Sequence, residues 1–189
     1  MGALLSSDAC VLLVIDVQPG FLRKLASGDA QPIVDRIRWL SEVAVALDIP
    51  IVVTEEEPDH HGATDPRIVG ALAPDHPRHT KAAFGVADNP AILTHLEALG
   101  RREAVVCGLE TDVCVAQSAL GLIDRGWRVA AVVDAVASPG AAHEQGLARM
   151  RDAGVVLSGV KGVFYEWIRT VDRLALPGLP SWQPTGITL

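Results

Sequence analysis

The chain predicts an α/β protein built as a three-layer α/β/α sandwich, and three observations carry that expectation. Its 189 residues are 49% hydrophobic and 21% charged, ample for one well-buried domain and giving no reason to expect two. Short β-branched apolar runs recur without polar alternation, the pattern of parallel strands covered on both faces. Between them lie segments of helical length and amphipathic spacing, so strand and helix alternate along the chain.

Taken in order, "CVLLVI" at 10–15 reads as the first strand. A helix over 31–47 follows, with Ile33, Ile37, Leu40, Val43, Ala44 and Leu47 on one stripe. "IPIVVT" at 49–54 is the second strand. Residues 55–89, rich in Pro, His, Gly and Asp, are too long for a plain connector and predict a loop over the site, with one short strand near Lys81 to Val86. Then come a helix over 90–99, a strand "EAVVCG" at 103–108, a helix over 112–125 and a strand "RVAAVVD" at 128–134. A helix over 140–153, a strand "AGVVLS" at 153–158 and a helix over 162–172 complete the pattern. Each apolar run is expected to be buried on both faces. The tail 174–189, broken by Pro and Gly, is expected to be an arm packed on a neighbouring subunit or a frayed end, the arm favoured because Trp182 would otherwise be exposed.

Charge and cysteine usage exclude several roles. The net charge is −7 and no basic run exists, so a nucleic-acid footprint is missing. Cys10, Cys107 and Cys114 form an odd set without paired spacing, which argues against a disulfide framework and for a reducing, cytoplasmic setting. "ACVLLVID" is too short to span a bilayer and lacks the flanks of a secretory signal. "MGALLS" fits the loose myristoylation pattern through Gly2 and Ser6, a match read as chance.

Ligands of open α/β sheets bind beyond the carboxyl ends of the strands. Asp16 closes the first strand, Cys114 falls in the first turn of the helix after "VCGLETDVC", and Lys81 lies in "HTKAAFGV" at the entry to the short strand. Thr111 or Asp112 can cap that helix, and its N-terminal dipole would then lower the Cys114 pKa. Each residue also has a plainer reading: a small core side chain for Cys114, as assigned to Cys10 and Cys107; a turn cap for Asp16, as Asp134 would be; a snorkelling surface side chain for Lys81. The long apolar run before Asp16 implies burial and a need for a cationic or proton-bearing partner.

"LLVIDVQPGFL", "TKAAFGV" and "VCGLETDVCV" followed by "GWRVAAVVDAVAS" together resemble the isochorismatase-like cysteine hydrolases, the superfamily that includes nicotinamidases. The resemblance spans nearly the whole chain and implies a six-stranded parallel sheet, Rossmann-like, with Asp16, Lys81 and Cys114 as the catalytic triad. It implies a cis peptide between Leu109 and Glu110, with the backbone N–H groups of Glu110 and Cys114 as the oxyanion hole. In the implied mechanism Asp16 takes the thiol proton, Cys114 attacks a carbonyl and water hydrolyses the thioester. Nicotinamidases hold a metal on an Asp and His set after the second strand. Here that place reads "TEEEPDHHGATDP", without D-x-H spacing, and adjacent His60 and His61 on an extended segment would point apart.

"GLARMRDAGVVLSGVKGVFYEW" resembles the small isochorismatase-domain proteins more than the nicotinamidases. Phe21 and Phe84 are candidate apolar walls for a small amide, or core and cover residues, and Glu55 would meet either a substrate amine or Arg78. The expectation is a cofactor-free, metal-independent amidohydrolase, a homo-oligomer acting on a small molecule and without nucleic-acid or membrane partners. Its competitors are a redox-responsive thiol protein and a non-catalytic binding module on the same fold.

Overall fold

In the computed structural model, which describes residues 4–189, the described residues form a six-stranded, all-parallel sheet in the order β3-β2-β1-β4-β5-β6. Gly2 of the myristoylation-like stretch lies outside the described residues. β1 spans Cys10–Ile15 and is followed by a single turn α1, Pro19–Leu22, and the long helix α2, Ala30–Ala46. β2 (Ile51–Glu56) leads into the short helices α3 (Pro58–His61) and α4 (Pro66–Val69) and then β3 (Arg78–Lys81). α5 (Pro90–Ala98), β4 (Glu103–Leu109), α6 (Ala116–Ile123), β5 (Arg128–Ala137), α7 (Ala142–Asp152), β6 (Val156–Ser158) and α8 (Val160–Ile168) complete the order.

The three layers follow from the pleat. In β1, Cys10, Leu12 and Val14 enter one core with Ile37, Leu40 and Val43 of α2 and Phe164 and Trp167 of α8. Val11, Leu13 and Ile15 point the other way, into a core with Leu96 of α5, Ala119 and Leu122 of α6 and Met150 of α7. A central parallel strand therefore needs apolar side chains at every position, which is why its sequence does not alternate.

Several boundaries differ from the sequence expectation. β3 ends at Lys81 rather than starting there, and Val86–Asp88 is a short 3-10 turn. "RHTK" is polar because β3 is an edge strand, held by its pairing with β2 rather than by apolar burial. β6 is likewise an edge, with Val156 37% exposed, so the last apolar run is not buried on both faces. The expected loop 55–89 contains two further residues of β2 and the helices α3 and α4, the latter capped by Asp65, whose carboxylate accepts from the Arg67 N–H.

Trp182 of the tail packs on α2 of its own chain. Trp39 of α2 donates its indole N–H to the Trp182 carbonyl at 2.8 Å, and Trp182 donates to Glu42 at 2.7 Å with Arg38 over its ring. Asp134 lies within β5 rather than at its end, and its carboxylate accepts from the Val160 N–H at the start of α8 instead of capping the turn after the strand.

The switch in strand order falls between β1 and β4, where successive connections leave in opposite directions and open a crevice at the strand ends. The two strands approach so closely there that a Cβ on Gly108, whose φ is +120°, would lie 1.9 Å from the Ile15 carbonyl oxygen. Only glycine permits that conformation and that approach.

Candidate functional site

Asp16 leaves β1 with a φ of 49°, a left-handed conformation rare for a residue with a Cβ and held here by surrounding bonds. Its N–H donates to the Thr54 carbonyl, and the Thr54 hydroxyl donates to Oδ1 at 2.7 Å. The other carboxylate oxygen meets the Lys81 ammonium at 2.7 Å, with both side chains fully buried. Lys81 arrives as the last residue of β3, in register beside Glu56 of β2.

Cys114 approaches from β4. The Leu109–Glu110 peptide is cis, and the chain then makes one wide, π-type turn over Thr111–Val115 before α6. Two braces fix that turn: Thr111 Oγ1 meets His143 Nδ1 at 3.0 Å, and Ser138 donates to Asp112 at 2.5 Å. Gly146 of α7 presses on the same turn, since a Cβ there would lie 2.7 Å from the Asp112 Cα. Thr111 and Asp112 therefore do not cap a helix as the sequence suggested; their side chains tie the turn to the β5–α7 segment.

The structure thus brings Asp16, Lys81 and Cys114 together. Lys81 Nζ lies 3.4 Å from Cys114 Sγ, and one donor atom each of Asp16, Glu56 and Cys114 fit within 4.8 Å of one another. Glu56, which the sequence reading did not single out, accepts the Cys114 thiol at 3.0 Å and meets Lys81 at 3.3 Å. Thr54 and Glu56, two apart on one strand, face the same side and both serve the cluster. That period-2 relationship was the signal available. Glu55 points the other way, accepting from the Thr64 N–H and hydroxyl and pairing with Arg78, one of its two expected partners, at 3.5 Å.

Burial dominates the electrostatics. It raises the Asp16 carboxyl above its ordinary 3.8, outweighing the opposing pull of Lys81. Burial works against the Lys81 charge, but Asp16 more than compensates, and the ammonium is held above its usual range. The Cys114 thiol is pushed well up by burial, then by Asp16 and by its bond to Glu56, with Lys81 opposing. The expected helix-dipole lowering does not prevail, because the sulfur is 2% exposed and faces two carboxylates. Cys10 and Cys107 are fully buried core residues, as expected, and burial raises the Cys10 thiol to about 12.

Phe21 is buried beside Leu109 and stacks on His61, with centroids 4.5 Å apart, while Lys24 covers its ring and pairs with Glu110 at 3.3 Å. Phe84 turns outward and is 47% exposed. His60 and His61 lie on α3, not on an extended segment, and His61 Nε2 sits 3.7 Å from Glu56. Asp16, Glu56 and Cys114 have the spacing of metal ligands, but the Lys81 ammonium already contacts an atom of each, so the set is served by a covalently attached cation. A separate cleft of about 630 Å³ opens between the start of α2 and the end of β5, lined by Ile33, Arg36, Asp134, Ser138 and His143; Cys114 is not among its walls.

Comparison with known proteins agrees with this architecture. The profile described as Isochorismatase domain matches residues 10–161. Isochorismatase domain-containing protein 2 of Xenopus laevis is 30% identical over 164 residues, covering 86% of this chain and 77% of that protein. YcaC from Pseudomonas aeruginosa, solved with hexane-2,5-diol and covalent acrylamide, superposes with a TM-score of 0.86 at 24% identity, covering 95% of this chain and 89% of that one. The YcaC gene product of Escherichia coli, described as an octameric hydrolase of unknown specificity, has a TM-score of 0.85 at 25% identity, covering 95% and 88%. With the profile matched over most of its length, the chain belongs to the isochorismatase-domain family.

Proposed function

We propose that this chain is a metal-independent cysteine hydrolase that cleaves the C–N bond of a small amide through a thioester on Cys114. Family membership suggests a hydrolase, and one observation supports the finer reading: a single buried ammonium, Lys81, contacts both the Asp16 carboxylate at 2.7 Å and the Cys114 sulfur at 3.4 Å. A thiol this strongly raised is neutral at rest, so it needs a base at the moment of attack.

Asp16 takes the thiol proton while Lys81 stabilises the sulfur anion, and the sulfur forms a bond to the substrate carbonyl carbon. The N–H groups of Glu110 and Cys114 receive the carbonyl oxygen as it becomes an oxyanion. The C–N bond then breaks, with the proton on Asp16 passing to the departing nitrogen. Asp16, ionised again, takes a proton from water as the hydroxide attacks the thioester. The C–S bond breaks and the proton returns to sulfur, leaving a carboxylic acid and free enzyme. A carboxyl raised by burial suits this work, because it holds a proton more readily than an exposed aspartate.

Homo-oligomeric assembly belongs to the same proposal, supported by the octameric state of the E. coli relative and by the outward-facing Phe84. No described helix is long and apolar enough to cross a membrane. The test is ammonia or amine release from a panel of small amides. Release that vanishes in Cys114→Ala and falls by roughly 10²- to 10⁴-fold in Asp16→Asn is expected. Unchanged turnover in either variant overturns the assignment.

A further inference from the structure

Lys81 gives one positive charge to two carboxylates, Asp16 at 2.7 Å and Glu56 at 3.3 Å, so the cluster carries an excess of acid before any sulfur ionises. The resting thiol donates to Glu56 at 3.0 Å rather than lying free. Turning the sulfur into an anion at that distance from a second carboxylate is costly in a low-dielectric site, and Lys81, which reaches the same Glu56 oxygen, is shared with Asp16, so a further positive or hydrogen-bond-donating group on Glu56 lowers that cost. The rest of the surroundings hold Glu56 in place. Gln18 clasps its backbone from both sides, and His61, stacked on Phe21, stands 3.7 Å from its other carboxylate oxygen.

We infer that Glu56 is a specificity-determining residue that selects substrates bearing an ammonium, amidinium or comparable donor group next to the scissile amide, and disfavours substrates with a carboxylate there. The inference rests on the site proposed above and names the substrate class it takes. A donor on the substrate occupies Glu56, the thiol hydrogen turns to Asp16, and attack follows. Without such a donor, the thiol hydrogen stays on Glu56 and its transfer to Asp16 is slower.

The test needs no natural substrate. Modification of Cys114 by aminoethyl methanethiosulfonate, which is cationic, is compared at fixed pH with modification by the anionic sulfonatoethyl reagent. Each reagent transfers its thioalkyl group to the sulfur and releases methanesulfinate, and each rate is divided by that with free 2-mercaptoethanol. Peptide mapping assigns the site, with Cys114→Ala as control. The normalised preference for the cation is expected to exceed about tenfold in the natural chain, to persist in Glu56→Asp and to fall to about one in Glu56→Gln.

A preference near one in the natural chain overturns the inference, whether or not Glu56→Gln folds. So does a preference that survives Glu56→Gln, or failure of both reagents to reach Cys114. Charge preference without amide hydrolysis would sink the hydrolase reading alone, and hydrolysis without charge preference would sink this one alone.

Discussion

Gln18 grips Glu56 from both sides of its peptide: the side-chain amide donates to the Glu56 carbonyl at 3.0 Å and accepts from the Glu56 N–H at 2.8 Å. Because Gln18 follows β1 and Glu56 ends β2, the clasp ties together the strand ends that deliver Asp16 and the thiol's acceptor. The same amide also bonds the Gly62 carbonyl beyond α3.

Gln18→Ala would leave the buried N–H and carbonyl of Glu56 without partners. A loss of about 2–4 kcal/mol is expected in urea unfolding, since each orphaned group costs roughly 1–3 kcal/mol. A loss below about 0.5 kcal/mol would show that water or a shifted backbone replaces the clasp.

Lys81→Met keeps the length of the side chain and deletes the cation, leaving Asp16 and Glu56 facing each other in a dry site. Breaking a buried ion pair by removing one partner costs about 3–5 kcal/mol, and that loss is expected here. Lys161→Met, at an exposed position, should change stability by less than about 0.5 kcal/mol. Lys81→Arg should not restore activity, because a planar fork cannot take the place of a compact ammonium among three close atoms. Thermal unfolding with parallel amide-release assays reads both effects.

Three buried thiols predict a specific alkaline weakness. Burial raises Cys10, Cys107 and Cys114 above the ordinary 9.0, so above that pH the unfolded chain loses thiol protons that the folded chain still holds. The native state then binds more protons, and stability falls as pH rises, by up to about 1.4 kcal/mol per pH unit for each thiol. More than about a unit below 9.0 these groups contribute almost no slope. Cys107→Ala should flatten the decline without altering stability's pH dependence near neutrality. Urea midpoints measured across this range check it, and an unchanged alkaline slope in the variant would contradict it.

Much of this was legible in the sequence because it rests on long apolar runs. β1 lies where "CVLLVI" placed it, and α2 within one residue of its expected span, since sheet and helix burial leave their period in the residues. β3 was misplaced because an edge strand is fixed by backbone pairing, which a polar "RHTK" does not announce. Asp16, Lys81 and Cys114 could be singled out one by one at strand ends. The acceptor of the thiol hydrogen could not, because it is Glu56, whose facing is set by β2 running two residues past its apolar run. Three consecutive glutamates hide which one turns inward.

The proposed mechanism requires Cys114 to be covalently acylated during turnover. The direct measurement is rapid acid quench of the enzyme with an amide it hydrolyses, followed by peptide mass mapping. An acyl mass is expected on the Cys114 peptide, forming no more slowly than product and absent in Cys114→Ala. Turnover with no acyl group on Cys114 under single-turnover conditions, or an acyl group on another residue, would contradict it.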